Sequence, residues 1–208
     1  MTIEIWLAFV AAATVILILP GPTVLLVVAY ALGQGRRVAL AMVAGVALGD
    51  FVAMTVSMAG LGAVMLASAT LFTVMKWIGA AYLVYLGIKL WRADARLPAL
   101  GAEDAPPVPL TGAFTHAFAV TALNPKSIAF FIAFVPQFIT HDAPLLPQLV
   151  VLETTFVGLA AVNAAAYAVL GDQLRKRMTK PSVLRWLNRA GASCLVGMGA
   201  ATAAMRNG

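Results

Sequence analysis

Thirty consecutive positions, Val38 to Ala67, hold a single charged residue, Asp50. A soluble amphipathic helix shows a polar stripe every three or four residues, and this stretch has none. As one helix it is also long enough to cross a hydrocarbon core about 30 Å thick. The rest of the chain is alike: of 208 residues, 62% are hydrophobic and 11% charged, where a soluble domain carries about 25% charged residues. The sequence therefore predicts an all-α membrane protein.

Apolar runs separated by charged, Pro-rich or Gly-rich breaks fall near residues 5–32, 38–67, 71–92, 112–139, 145–170 and 184–205. They predict six transmembrane helices in one domain covering residues 1–208, with both termini on the same side. Basic residues choose the side, because loops rich in Lys and Arg stay in the cytoplasm. Eleven of the 14 lie at one end of the helices: Arg36, Arg37, Lys89, Arg92, Arg96, Arg175, Lys176, Arg177, Lys180, Arg185 and Arg189. Both termini are thus predicted outside the cytoplasm, and membrane topology explains the +6 net charge without nucleic acid as a partner. Trp6, Trp77, Trp91 and Trp186 fall near predicted helix ends, the level such rings prefer beside lipid headgroups. Met1-Thr2-Ile3-Glu4 lacks the positive start of a signal peptide and apolar character continues to Leu32, so the first helix is read as retained.

The third and sixth runs resemble each other. Gly79-Ala80-Ala81-Tyr82-Leu83-Val84-Tyr85-Leu86-Gly87 aligns with Gly191-Ala192-Ser193-Cys194-Leu195-Val196-Gly197-Met198-Gly199. The first run holds Leu19-Pro20-Gly21-Pro22 and the fourth Leu123-Asn124-Pro125-Lys126, each a helix-breaking cluster near the middle of its run. These parallels predict an internal duplication: a first three-helix half over 1–92, a cytoplasmic linker over 93–111 and a second half over 112–208. With three spans in each half, the repeats must be inverted.

Proline removes an amide hydrogen and clashes with the carbonyl four residues back, so Pro20, Pro22 and Pro125 should free the carbonyls of Ile16, Ile18 and Thr121. Paired interruptions in two halves point to a binding site near the bilayer midplane. Asn124-Pro125 also fits an N-cap followed by Pro at the first helical position, with Thr23 and Val24 beginning the counterpart half-helix. Asp50 lies roughly 18 Å into the second run and Lys126 roughly 21 Å into the fourth, so the two charges share a level. Intramembrane ionisable residues mark function by default, although a structural ion pair between the two helices would serve as well. Lys126 with the half-helix amides suits a carboxylate, and Asp50 suits an ammonium group or a transported proton; a zwitterion satisfies both. Asn163 and Tyr167, four apart, share a helix face and either contact substrate or bond to a neighbouring helix. Glu153 reads equally as a vestibule residue or as one reaching water. Gly45 and Gly49 sit on a small-residue stripe whose default meaning is close packing. The lone Cys194 builds no cluster, and His116 and His141 are predicted at opposite membrane faces, so neither a metal nor another cofactor is expected.

Pro20-Gly21-Pro22, Gly45 through Gly49-Asp50, Gly79-Ala80-Ala81-Tyr82-Leu83 through Gly87, and Asn124-Pro125-Lys126 followed by Phe130-Phe131 and Pro136-Gln137-Phe138 occur in an order and spacing that resemble the LysE/RhtB family of amino-acid exporters. The resemblance covers nearly the whole chain. It implies a bacterial inner-membrane carrier that exports amino acids by proton antiport, as a homo-oligomer within the lipid bilayer. Pro20, Gly21, Pro22, Asn124, Pro125 and Lys126 match the family motifs position by position, and Asp50 matches its acidic position, the candidate for proton coupling. Rival readings are a metal or toxic-cation exporter of related architecture, which needs converging ligands that one carboxylate and one Cys do not supply; an intramembrane enzyme, for which no HExxH or GxSxG is present; and a membrane scaffold, which has no need of two helix breaks flanking opposite charges.

Overall fold

Each element begins and ends for a local reason. The computed structural model describes residues 1–19, 21–93, 107–140, 142–178 and 181–204, which form eight α-helices, a 3-10 turn and no strand. Helix α1 (Ile3–Ile18) starts where the Thr2 hydroxyl accepts the Ile5 N–H, and α2 (Pro22–Gly33) starts with proline in its first position. The axis bends by 55° between them. Gln34 and Gly35 turn the chain into α3 (Arg36–Ala67); Gly35, at φ +81°, occupies the left-handed region that glycine enters without cost. Ser68 accepts the Leu71 N–H at 3.2 Å and caps α4 (Ala69–Trp91). Helices α5 (Leu110–Ala122) and α6 (Pro125–Ala133) are separated by Leu123 and Asn124, and the 3-10 turn Val135–Phe138 prolongs α6. Helices α7 (Leu145–Met178) and α8 (Pro181–Ala204) complete the chain.

The first apolar run is thus α1 with α2, and the fourth is α5, α6 and the 3-10 turn. Taken singly, α3 over Arg36–Val64 and α7 over Leu145–Leu170 are long and apolar enough to cross a membrane, and α1 with α2 qualify as one bent span. Of the predicted linker, 107–109 lie outside any helix and lead into α5, with Pro109 extended and the Val108 N–H donating to Gln34 Oε1 at 2.9 Å; residues 94–106 lie outside the described residues.

Two glycine seams set the packing. Helix α3 runs along α5: a Cβ on Gly45 would collide with the Phe114 carbonyl, and one on Gly49 would come 2.8 Å from Thr121 Cβ and 2.9 Å from Phe118 O. Such close approach is what small residues provide where lipid removes the hydrophobic drive between helices. Helix α4 runs antiparallel along α8. A Cβ on Gly87 would lie 2.7 Å from Val196 Cγ2 and 2.9 Å from Ala192 O; one on Gly199 would lie 2.7 Å from both Val84 Cγ2 and Ala80 O. The alignment of the third and sixth runs pairs these same residues, Gly87 with Gly199, Ala80 with Ala192 and Val84 with Val196. The contacts exchange under that pairing, as they would across a local two-fold axis.

The buried core divides into two clusters. Toward the N-terminal end, Phe9, Phe130, Phe131, Phe138 and Phe156 pack with Met54, Met58 and Leu61, their rings 4.8–6.4 Å apart in stacked and edge-on pairs. Toward Arg36 the second cluster is built from small side chains: Val27, Ala39, Val46, Ala113, Ala117, Ala164 and Ala168, with Met42.

Candidate functional site

A helix that stops inside a protein leaves its last four carbonyls without intrahelical partners. At the end of α1 these belong to Ile16, Leu17, Ile18 and Leu19, and each receives a side chain from a distant element. Lys126 Nζ donates to Ile16 O at 2.9 Å and Leu19 O at 3.1 Å. Asn163 Nδ2 donates to Leu17 O at 3.0 Å, and the Tyr167 hydroxyl donates to Ile18 O at 3.1 Å. An ammonium at a helix C-terminus also meets the negative end of the helix dipole. Gly21 makes room for it, since a Cβ there would come 3.2 Å from Nζ. The backbone of Gly21 is extended, at φ −124°, so proximity to Lys126 rather than backbone freedom is what glycine supplies here.

The second break closes mostly through its own chain. Leu123 N–H bonds Ala119 O at 3.1 Å, and Asn124 N–H bonds Thr121 O at 3.0 Å. The Asn124 side chain then accepts the Lys126 N–H at 3.0 Å, with Pro125 in the first helical position. The two breaks touch through hydroxyls: Thr23 Oγ1 lies 3.3 Å from Thr121 Oγ1, and Asn124 Nδ2 donates to Thr23 at 3.4 Å.

Between the breaks lies a cavity of about 30 Å³, lined by Gly21, Thr23, Asp50, Asn124, Lys126, Ser127 and Asn163 and walled by Ile16, Val24, Val27, Val46, Phe156, Ala160 and Ala164. Such a volume holds a water or two and no amino acid. Phe156 of the aromatic cluster lines one side, and Val27, Val46 and Ala164 of the alanine-rich cluster line the other. Asp50 is 2% exposed, and its Oδ1 has no hydrogen-bond partner. Asp50 and Lys126 face the same cavity and act on each other electrostatically, while the hydrogen bonds of the ammonium go to backbone carbonyls.

Of the residues singled out from sequence, Gly21, Thr23, Asp50, Asn124, Lys126 and Asn163 converge on this cavity. Pro22 and Pro125 start their half-helices, and Pro20 lies outside the described residues. Tyr167 stands behind the cavity as a cap on α1. Helix α2 begins at Pro22 with Gly21 as its N-cap, a residue earlier than Thr23 and in register with Asn124-Pro125. The freed carbonyls also differ from the expectation: Thr121 O is satisfied by its own chain, while Leu17 and Leu19 join Ile16 and Ile18, because the interruption exposes a whole helix end rather than the single partner of each proline. Glu153 accepts the Thr55 hydroxyl and ties α3 to α7 away from the cavity. His116 Nδ1 lies 2.9 Å from the Tyr30 hydroxyl, and His141 lies outside the described residues.

Sequence reasoning missed Ser127 and Phe156. Ser127 occupies the first turn of a half-helix already placed at the site. Phe156, Ala160, Asn163, Ala164 and Tyr167 recur at three- and four-residue intervals, so the face of α7 that carries Asn163 could have been extended to them.

An uncharacterised membrane protein of Vibrio cholerae is 34% identical over 96% of both chains. A homoserine/homoserine lactone efflux protein of Salmonella typhimurium is 33% identical over the full length of both. A leucine efflux protein of Salmonella choleraesuis is 32% identical over 67% of this chain and 65% of its own. No solved structure matches. The profile of the LysE type translocators matches residues 14–206, and the chain belongs to that family.

Proposed function

We propose that this protein exports amino acids or close derivatives from the cytoplasm by alternating access around the cavity between its two helix breaks. As a LysE type translocator it is a membrane transporter and not an enzyme. The observation that carries the reading is that a buried carboxylate, Asp50, and a half-buried ammonium, Lys126, line one cavity at the meeting point of two interrupted helices. Opposite charges held apart in one cavity complement a zwitterion, and half-helix ends supply further dipoles for its charged groups. The full-length relative named for homoserine and its lactone supports a site centred on the amino group, since those two molecules share the ammonium and differ in the free carboxylate.

In this reading the chain crosses the bacterial inner membrane six times as two inverted halves, 1–92 and 112–208, with both termini outside the cytoplasm. The exchange of contacts between α4 and α8 supports the inverted repeat, and the matching Gly21-Pro22 and Asn124-Pro125 starts support it again. The protein assembles as a homo-oligomer in the lipid. Loading a substrate requires the cavity to enlarge, and parting the alanine-rich cluster opens it toward the basic, cytoplasmic end. Export is driven by proton antiport, with Asp50 as the proton-coupling residue. Efflux of labelled homoserine or leucine from loaded cells tests the reading: an inward proton gradient should accelerate efflux, and Asp50→Asn should remove that acceleration. Efflux unchanged by the gradient would exclude proton antiport, and gradient dependence surviving in Asp50→Asn would take Asp50 out of the coupling role.

A further inference from the structure

Lys126 sits where a cationic ligand would sit. Its ammonium bonds Ile16 O and Leu19 O, at the negative end of the α1 dipole, and leaves one of its three N–H donors over. Leu17 O and Ile18 O, the carbonyls between, are held by neutral groups on α7. Across the same cavity Asp50 keeps a buried carboxylate oxygen with no partner. The site therefore has more acceptors than Lys126 satisfies, all of them suited to an ammonium.

We propose that the carbonyl end of α1 is the binding site for the substrate's primary ammonium group, and that Lys126 occupies it as a tethered ammonium until substrate displaces it toward Asp50. The inference rests on the exporter reading above and specifies its site. Carbonyls inside a closed cavity cannot go without donors, so an empty carrier needs an internal substitute for its cargo. An incoming primary ammonium brings the same charge and the same three N–H groups, and exchanging one for the other keeps the α1 end satisfied. Lys126, once displaced, is free to carry its three N–H groups to the substrate's carboxylate and to the orphaned Asp50 oxygen, which it does not bond from its place on the α1 carbonyls. The loaded cavity is fully paired, whereas the empty one is not. Gly21 leaves the lysine side chain the space to reach and quit this position.

The test uses purified full-length protein in detergent, its thermal unfolding midpoint followed against n-butylammonium, tetramethylammonium and butyrate. In Lys126→Met the vacated carbonyls should accept butylammonium, which should raise the midpoint at concentrations at least about tenfold below any that affect the wild type. Tetramethylammonium has no N–H to donate and butyrate has the wrong charge; neither should act. An equal response of both proteins to butylammonium, or no response of the variant, would overturn the proposal. Should Lys126→Met not fold, Lys126→Ala, which likewise vacates the carbonyls, is judged by the same criteria. Amino-acid transport without amine rescue would discard the tethered-ammonium site and leave the exporter reading standing. Amine rescue in a protein that moves no amino acid would keep the ammonium site and discard the zwitterion.

Discussion

At the second helix break the chain closes on itself: Leu123 and Asn124 return their N–H groups to the α5 carbonyls, and the Asn124 side chain caps α6 two residues on. At the first break every carbonyl from Ile16 to Leu19 depends on a side chain more than a hundred residues away. One break is built from local bonds that any arrangement of the bundle preserves. The other lasts only while α6 and α7 stay seated against α1. On the mechanism proposed above, the two breaks take different parts: the α5–α6 break serves as a fixed platform, and the α1–α2 break is the one whose bonding changes as substrate arrives and helices part.

The largest effect should come from unseating the fixed platform. Gly49→Leu forces a side chain where even a Cβ meets Thr121 and Phe118, so it should separate α3 from α5, cost about 1–3 kcal/mol and abolish transport. Gly60→Leu, with nothing within 4 Å of its Cβ, is the control and should behave as wild type. If thermal midpoint and transport cannot tell the two variants apart, the platform is not rigidly seated.

Next come the long-range caps. Asn163→Ala and Tyr167→Phe should each cost about 1 kcal/mol by uncapping an α1 carbonyl, and in double-mutant cycles each should couple to Lys126→Met. Asn124→Ala should cost about as much through its lost N-cap, yet it should combine additively with both α7 variants, because its bond to the Lys126 N–H is local. Additivity of Asn163 and Tyr167 with Lys126 would break the distinction between the two ends. The smallest effect belongs to Gly21→Ala. Its methyl would lie 3.2 Å from Lys126 Nζ, so the flexible lysine should give way at a cost under about 1 kcal/mol, and a reduced transport rate with a nearly unchanged midpoint is the expected signature.

Much of this was legible in the sequence, and the limits are physical. Both breaks showed because proline lacks an N–H, and Asn124-Pro125 showed because side-chain capping followed by proline is a local signal. Counting 1.5 Å per residue brought Asp50 and Lys126 to one level. That the Lys126 ammonium bonds the α1 carbonyls was not legible, because it requires knowing where the end of α1 lies relative to α6. Asn163 and Tyr167 were placed on a common face for the same local reason, while the carbonyls they bond were hidden by sequence separations of 146 and 149 residues. The α4–α8 seam was half legible: the alignment of their glycines was visible, and their direct contact was not.

The most direct test of the central claim is counterflow of a panel of labelled amino acids in proteoliposomes holding the purified protein, run beside Lys126→Ala. Uptake driven by one class of amino acid in the wild type, absent from folded Lys126→Ala, is the predicted result. Demonstrably folded wild-type protein that moves no member of the panel would contradict the account and return Asp50 and Lys126 to a purely structural role.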